Sequence, residues 1–366
     1  MIPVTKPYLP SREKFDKYVD GIYEREWLTN NGPLVQELTK RLEEYLGVEN
    51  LLLVSNGTLA LQIAYRALNI PETVCGKPAE AITTPFTFVA TSSSLKWEGI
   101  EPVFADIDPD TWCLDPNKIE PAITEQTKAI VPVHVFGNAC DVEAIEEIGN
   151  KHNLKIIYDA AHAFGVNYKG ESLLKWGDAA TLSFHATKVF HTIEGGAIVF
   201  KRKEDLDKAK KLISFGITGS ETIDELGINA KMNEFQAAVG LAILDDINNV
   251  IKKRKDIKEY YNDKLLDTCV LQKMHPFITS NGAYVPVILN SESELMDLLS
   301  YLKVNGVTAR RYFSPSLDSL VFINNITINK ISRDISKRIM CLPIYESLDY
   351  EIVDLIIRII KNKNGS

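Results

Sequence analysis

Cysteine is scarce in this chain of 366 residues, and the positions of its cysteines exclude two kinds of site. The five cysteines are odd in number, lie far apart and form no C-x-x-C pair. Neither a zinc site nor a disulfide framework is therefore indicated, and we expect no bound metal. Reduced thiols in a cytoplasmic protein are the interpretation that we favour.

Long apolar runs and an excess of positive charge are also missing. No run approaches transmembrane length, and the N-terminus, Met1-Ile-Pro-Val-Thr-Lys6, has no apolar signal core. The formal net charge of −8 argues against a broad nucleic-acid surface or binding to an acidic membrane, whereas a nucleotide in a local pocket remains compatible with it. We therefore expect a cytoplasmic protein that binds neither nucleic acid nor membrane.

Two common nucleotide-binding motifs are absent. The chain contains no G-x-G-x-x-G and no G-x-x-x-x-G-K-[ST] sequence. Interpretation of the chain as a dinucleotide-dependent dehydrogenase or a P-loop enzyme therefore lacks its main sequence support. Internal repeats and low-complexity tracts are missing too.

Short apolar runs alternate with helical patterns through most of the chain. This alternation predicts an α/β fold with a mostly parallel central sheet flanked by helices. The pattern is helical over 228–250 and continues so to about 267, and shorter strand and helix signals follow after Val270. We therefore predict a large domain over 1–250, including the N-terminal segment, and a smaller C-terminal α/β domain over 251–366.

Polar residues follow several of the predicted strands, and ligands of parallel sheets bind at the carboxyl ends of strands. The sequence Ser55-Asn-Gly-Thr58 lies between a strand and a helix, where free N–H groups and a hydroxyl could bind a phosphate. An ordinary helix N-cap at Ser55 or Thr58 explains the same residues. The residues at or near predicted strand ends are Asn56, Pro85, His134, Asp159 and Ser183.

A lysine and a carboxylate each follow a separate apolar strand. Asp159 precedes Lys188 by 29 residues, and Ser183 ends the strand before the lysine. A lysine deprotonated by its surroundings can form a Schiff base with an aldehyde, and a carboxylate can pair with a protonated ring nitrogen. These are the two groups that pyridoxal phosphate needs most, with Phe86 or Phe88 as a ring to stack on. Each residue alone has a structural alternative, as a helix cap or a core side chain.

The same residues lie in segments by which the chain resembles the DegT-type nucleotide-sugar aminotransferases, a family of fold type I pyridoxal-phosphate enzymes. The resemblance covers about the first two thirds of the chain and implies that family's fold and a pyridoxal 5′-phosphate cofactor. The segments that carry it are Trp27–Pro33, Ser55–Thr58, Thr84–Thr91, Asp159–Ala163, Ser183–Lys188, Glu194–Gly196 and Gly227–Ala238.

The resemblance implies a role for individual residues. Lys188 would be the Schiff-base lysine and proton shuttle, and Asp159 the partner of the ring nitrogen. The expected cofactor-binding residues are Gly57, Thr58 and Ser183 at the phosphate, Phe86 on the ring, His162 near the ring hydroxyl, and Asn229 at the phosphate of the neighbouring subunit's cofactor. Asn229 therefore implies a homodimer with shared active sites.

Substrate contacts are implied for a further set of residues: Lys6, Tyr8, Asn31, His185, Arg310, Arg311 and Tyr312. A solvated basic pair is an alternative for Arg310 and Arg311, and a structural role is one for His185. His191 stands where close relatives have asparagine, which leaves the lysine chemistry unaffected. One sibling branch of the family has histidine in place of the lysine and dehydrates sugars, and Lys188 excludes it.

The expected reaction transfers an amino group from L-glutamate to a keto sugar nucleotide. The N-terminal segment and the Trp27 segment resemble enzymes that aminate dTDP-4-keto-6-deoxyglucose at carbon 4 to give dTDP-4-amino-4,6-dideoxyglucose, a precursor of surface polysaccharides. Amination at carbon 3, or of a UDP-linked sugar, is an alternative within the family. A non-catalytic cofactor-binding regulator is an alternative of another class, although such a protein would need neither Lys188 nor Asp159.

Overall fold

A computed structural model describes residues 1–323 and 327–364. Eleven α-helices occur in these two ranges. They are α1 Arg12–Arg25, α2 Pro33–Leu46, α3 Gly57–Ala67, α4 Ala90–Trp97, α5 Val142–His152, α6 Lys203–Leu212, α7 Glu234–Leu244, α8 Ile247–Leu265, α9 Glu292–Val304, α10 Lys330–Arg338 and α11 Tyr350–Asn364.

The strands fall into one large and several small sheets. In chain order they are β1 Leu51–Val54, β2 Thr73–Val74, β3 Lys77–Pro78, β4 Glu80–Thr83, β5 Glu101–Phe104, β6 Thr127–Val131, β7 Lys155–Asp159, β8 Asn167–Tyr168, β9 Glu171–Ser172, β10 Ala179–Ser183, β11 Gly196–Phe200, β12 Ile217–Gly219, β13 Thr222–Ile223, β14 Val270–Leu271, β15 Val285–Ile288 and β16 Ile339–Leu342.

The large sheet has seven strands in the order β1-β11-β10-β7-β6-β4-β5. Strand β11 is antiparallel to both of its neighbours, while β10, β7, β6, β4 and β5 are parallel. The predicted α/β fold with a mostly parallel sheet is therefore confirmed. The parallel strands place their carboxyl ends along one edge, which is where the polar residues follow them.

Helices cover both faces of this sheet, because successive strand side chains point to opposite sides. Leu51 and Leu53 of β1 pack in a core with α2, α5 and α7. Leu52 and Val54 pack on the other face with α3, α4 and α6. The strands read as continuous apolar runs because both of their faces are buried.

A separate apolar core surrounds the three-stranded antiparallel sheet β14-β15-β16, with α9 and α11 packed against it. Helix α8 contributes to two cores, with Val250 in the core of the large sheet and Ile257 in this third core. The predicted domain boundary between 250 and 251 therefore falls inside a continuous helix. The N-terminus also lies against the C-terminal part, where Ile2 bridges Val307. The division into two domains stays a prediction.

The predicted helix over 228–250 is only partly correct. Residues 228–233 are extended, because their backbone groups bond to neighbouring segments: Ser55 donates to the Ala230 carbonyl and Ala230 donates to Ile213. Helix α7 begins after Asn233, whose side chain forms a capping box with Gln236. Tertiary contacts thus override an apolar pattern that resembled one long helix.

Two kinds of feature do not occur in the part of the chain that the structure describes. No helix there is long and apolar enough to cross a membrane. No cluster of three or more histidine, cysteine, aspartate or glutamate side chains there could hold a metal ion.

Candidate active site

A cavity of about 280 Å³ opens at the carboxyl ends of β7 and β10. The large-sheet part of the chain contributes one wall, from the start of α3, the end of β7 and the segment between β10 and β11. The C-terminal part contributes the other wall, with Tyr284, Arg310, Tyr312 and Phe313. The cavity therefore lies where parallel α/β sheets usually bind their ligands.

The N-terminus of α3 forms a cradle for an anion at one end of the cavity. Asn56 caps the helix, because its side chain accepts a hydrogen bond of 2.9 Å from the Leu59 N–H. A methyl group on Gly57 would lie 2.8 Å from Cβ and 3.1 Å from Oγ of Ser183, so the two segments approach closely only with glycine here. Gly57, Thr58 and Ser183 all line the cavity. Free N–H groups, a helix dipole and two hydroxyls together suit a phosphate.

Asp159 ends β7 with its carboxylate at the cavity and is 7% exposed. Thr91 Oγ1 donates a hydrogen bond of 2.7 Å to Oδ2, and the Ala161 N–H donates one of 3.1 Å to Oδ1. Burial raises the pKa of Asp159, while these two donors and the charge of Lys188 oppose that rise. The donors hold the carboxylate in one orientation, with its charge directed to the cavity.

Lys188 lies in the turn between β10 and β11, and its amine points into the same cavity. Its Nζ donates a hydrogen bond of 3.4 Å to the Tyr284 hydroxyl. Burial lowers the pKa of Lys188 to about 8, against the opposing effect of Asp159. About a tenth of this amine is therefore unprotonated at pH 7, far more than for an ordinary lysine, as a nucleophile and a base require.

His162 is 6% exposed and also faces the cavity. Its Nδ1 accepts a hydrogen bond of 3.2 Å from the Phe136 N–H, so in the neutral ring the proton is on Nε2. Burial and the charge of Lys188 hold its pKa well below the ordinary value. Its ring lies parallel to that of Phe313, with centroids 5.8 Å apart. His162 is thus a neutral donor in the cavity wall.

The stacking residue predicted from the sequence has to be corrected. Phe86 is fully buried, with its ring edge-on to Phe136 and Phe313, and it does not line the cavity. Phe88, two residues later, lines the cavity and is 53% exposed. The loop before α4 therefore turns the first phenylalanine into the core and places the second one at the cavity.

Phe88 and Phe86 should respond differently to truncation. We expect Phe88→Ala to weaken binding of pyridoxal phosphate about tenfold, since a stacked aromatic pair contributes on that order, and to leave the unfolding temperature nearly unchanged. Phe86→Ala should lower the free energy of unfolding by about 3–5 kcal/mol because it opens a cavity in the core. Absorbance titration and thermal unfolding of both variants check this. If Phe86→Ala weakened cofactor binding and Phe88→Ala did not, Phe86 would be the stacking residue after all.

Three of the predicted substrate residues line the cavity: His185, Arg310 and Tyr312. Arg310 lies over the Tyr312 ring, with its guanidinium carbon 4.8 Å from the ring centroid. Arg311 is a correction, because it lies in a tight turn, where the Tyr312 N–H donates to the Arg310 carbonyl, and does not line the cavity. Its guanidinium bonds Glu292 at 2.8 Å and the Lys337 carbonyl at 3.0 Å, at the C-terminal end of α10.

The structure does not bring the remaining predicted residues to the cavity of this chain. Lys6, Asn31 and Asn229 are exposed elsewhere on the surface. The Tyr8 hydroxyl donates to Asp246 at 2.9 Å, and burial with that bond raises the pKa of Tyr8 to about 12. The Tyr8 carbonyl accepts a bond of 2.8 Å from Nε2 of His191. His191 thus ties down the N-terminal segment.

Sequence reasoning missed two residues that hold the reactive groups. Thr91 ends the segment Thr84–Thr91, which carries part of the family resemblance, but nothing in the sequence indicates that its hydroxyl reaches Asp159. Tyr284 lies 96 residues after Lys188, in the part of the chain where the sequence gives only short strand and helix signals. Conversely, His134 is fully buried against the Tyr158 ring and does not line the cavity.

The mostly parallel sheet, with a lysine and a carboxylate facing one cavity beside a helix N-terminus, is the arrangement of a pyridoxal-phosphate-dependent aminotransferase. The sequence matches the DegT/DnrJ/EryC1/StrS aminotransferase family over residues 10–361. The chain belongs to this family. The family and the fold type inferred from the sequence are thereby confirmed.

Two curated relatives are similar to this chain over almost their whole length. The chain is 43% identical over 365 residues to the dTDP-4-amino-4,6-dideoxy-D-glucose transaminase of Shigella dysenteriae, with 98% of each covered. It is 38% identical to the enzyme of that name from Escherichia coli, with 99% of this chain and 98% of the relative covered. The crystal structure of DesI in the presence of its TDP-sugar product superposes with a TM-score of 0.91 at 30% identity, covering 99% of this chain and 92% of that one.

Proposed function

We propose that this chain transfers the amino group of L-glutamate to carbon 4 of dTDP-4-keto-6-deoxy-D-glucose and so forms dTDP-4-amino-4,6-dideoxy-D-glucose. The observation that carries the proposal is the cavity that Lys188 and Asp159 both line, beside the N-terminus of α3. The names of two relatives, each similar over nearly its full length, supply the choice of sugar nucleotide.

The residues of the cavity fit pyridoxal 5′-phosphate, the cofactor that the family implies. Gly57, Thr58 and Ser183 would hold its phosphate, and Asp159 would pair with its ring nitrogen. Phe88 would cover one face of the ring, in place of the Phe86 first expected. When bound, the cofactor supplies an aldehyde for the amino group and a ring that delocalises an electron pair.

The chain's own groups would bind, orient and move protons around that cofactor. Lys188 would take the α-proton of the donor, because burial keeps part of its amine unprotonated near neutral pH. Asp159 would keep its negative charge opposite the ring nitrogen, held by Thr91 and Ala161. His162 would donate its Nε2–H to the ring hydroxyl. The sugar nucleotide would lie against His185, Arg310 and Tyr312.

We further propose that two copies of the chain form a homodimer with shared active sites. Asn229 is exposed and outside its own cavity, so its expected phosphate contact would reach the partner's cofactor. Exposed apolar side chains lie close by: Leu226 and Ile228 precede it in sequence, and Phe215 donates a backbone hydrogen bond to Ile228. Lys6 and Asn31 would likewise contact the partner's substrate. Sedimentation at the mass of a single 41.0 kDa chain would contradict this proposal.

The substrate is tested by product analysis. The purified protein, loaded with pyridoxal phosphate, is given L-glutamate and dTDP-4-keto-6-deoxy-D-glucose, and the product is identified by NMR. We expect an amine on carbon 4. An amine formed only from the 3-keto isomer, or only from a UDP-linked keto sugar, would overturn the substrate and leave the reaction type standing. If glutamate did not change the visible absorbance of the bound cofactor, L-glutamate would not be the amino donor.

A further inference from the structure

Tyr284 contacts the amine of Lys188, and none of the sequence motifs includes it. It immediately precedes β15, is 8% exposed and lines the cavity. Its hydroxyl lies 3.4 Å from Nζ of Lys188. Within 1–323 and 327–364, no other side-chain hydrogen bond of either atom occurs. The two groups are therefore paired only with each other.

The segment that carries Tyr284 is fixed to both parts of the chain. Asn281 Nδ2 donates to the His162 carbonyl at 2.8 Å and to the Phe164 carbonyl at 3.0 Å, directly after the aspartate loop. Its Oδ1 accepts from the Ala283 N–H at 3.0 Å, so one buried amide joins two loops of the site. The backbone leading to Tyr284 thus has a defined position relative to His162.

Arg254 fixes the same segment from the other side. Its guanidinium donates to the carbonyls of Gly282 at 3.1 Å and Ala283 at 2.9 Å, and to Ile344 at 3.2 Å. Arg254 is 4% exposed and directs all three of these bonds to backbone carbonyls. A buried guanidinium is costly, and here its bonds hold the two residues that precede Tyr284.

The Tyr284 ring is held edge-on against two further rings of the cavity wall. Its centroid lies 4.8 Å from that of His162 and 5.9 Å from that of Tyr312, the latter at 90°. The hydroxyl therefore has little freedom to leave the lysine. We propose that Tyr284 is a positioning residue for Lys188, holding the free amine over the reaction centre between proton transfers. This role rests on the proposed aminotransferase function.

Two consequences separate this role from a merely structural one. A phenol oxygen that accepts a hydrogen bond stabilises the ammonium form, so Tyr284→Phe should lower the pKa of Lys188. In the cofactor-free protein, acylation of Lys188 by a small anhydride at pH 7 should then become about fivefold faster, since more of the amine is neutral. With cofactor and substrates, kcat should fall about tenfold, while KM for glutamate stays within about twofold.

The experiment uses Tyr284→Phe and Tyr261→Phe side by side. Tyr261 is fully buried, its hydroxyl has no partner among the described residues, and it lies in the separate core around β15, so its variant should match the unaltered protein. Labelling of Lys258, read by peptide mass spectrometry in the same sample, is the internal standard. Thermal unfolding shows that both variants are folded.

The outcomes separate the two proposals. Unchanged labelling of Lys188 with unchanged kcat in Tyr284→Phe would overturn the role of Tyr284, and so would a change confined to KM for the sugar nucleotide. If Tyr284→Phe altered the labelling of Lys188 but the unaltered protein had no transaminase activity, the proposed function would be wrong. The contact between Tyr284 and Lys188 would still stand. Both expected changes together, with neither in Tyr261→Phe, support the role.

Discussion

Replacing Lys188 by alanine is expected to lower kcat by about 10⁴-fold, the largest effect of any single substitution in this chain. The amine lies in the cavity with a pKa lowered to about 8, and among the residues that the structure describes no other lysine lines that cavity. Lys188→Arg should be as inactive, because a guanidinium keeps the charge but does not lose its proton near neutral pH. Steady-state kinetics with glutamate and the keto sugar nucleotide measure both variants.

Lys258 provides a matched control for this prediction. Burial also lowers the pKa of Lys258 to about 8, but its Nζ lies 3.8 Å from Met274 Sδ, outside the cavity. Lys258→Met should keep kcat within about twofold, since it removes the buried amine without touching the site. Added methylamine should restore part of the activity of Lys188→Ala, where it can enter the vacated space. Lys188→Ala with more than about a tenth of the normal kcat would contradict the assignment.

Asp159→Asn is expected to lower kcat by about 10²- to 10³-fold, since it removes a preorganised charge opposite the cofactor's ring nitrogen. The amide has the shape of the carboxylate and can still accept from the Ala161 N–H, so the fold should remain. Binding of pyridoxal phosphate, followed by visible absorbance, should persist with a changed spectrum. Normal turnover in this variant would show that Asp159 has only a structural role.

The pH dependence gives a second test of Asp159. Burial raises its pKa, so the carboxylate form, and with it activity, is lost as pH falls through that raised value. The Thr91 hydroxyl opposes the rise, so Thr91→Val should move the acid limb of the kcat profile to higher pH. Asp159→Asn should lack that limb altogether. An acid limb unmoved in Thr91→Val would contradict the pairing.

The sequence predicts the large sheet well because each strand is a short apolar run followed by a polar turn. The lysine and carboxylate follow such runs, so parallel strands bring them to one edge without further information. The extended residues 228–233 could not be predicted, because their apolar spacing fits a helix and only bonds to distant segments decide otherwise. Local pattern identifies elements, whereas long-range hydrogen bonds decide where some of them begin.

Side-chain direction within a motif is also set by long-range packing. Phe86 and Phe88 are equally apolar and two residues apart, and the core around Phe136 and Phe313 selects which of them turns inward. Arg310 and Arg311 differ in the same way, since one faces the cavity and the other caps α10. Tyr284 meets Lys188 from a segment whose backbone is held by Asn281 and Arg254.

The two-walled cavity has a consequence for how such enzymes could diversify. The groups assigned to the chemistry come from residues 56–194, whereas Arg310, Tyr312 and Phe313 come from the other wall. A chimera that receives residues 305–313 from a family member with another sugar nucleotide should therefore exchange the substrate and keep the transamination. Such a chimera should keep residues 281–284 of the present chain. Asn281 bonds to His162 and Gly282 to Arg254, and these bonds hold Tyr284 in place.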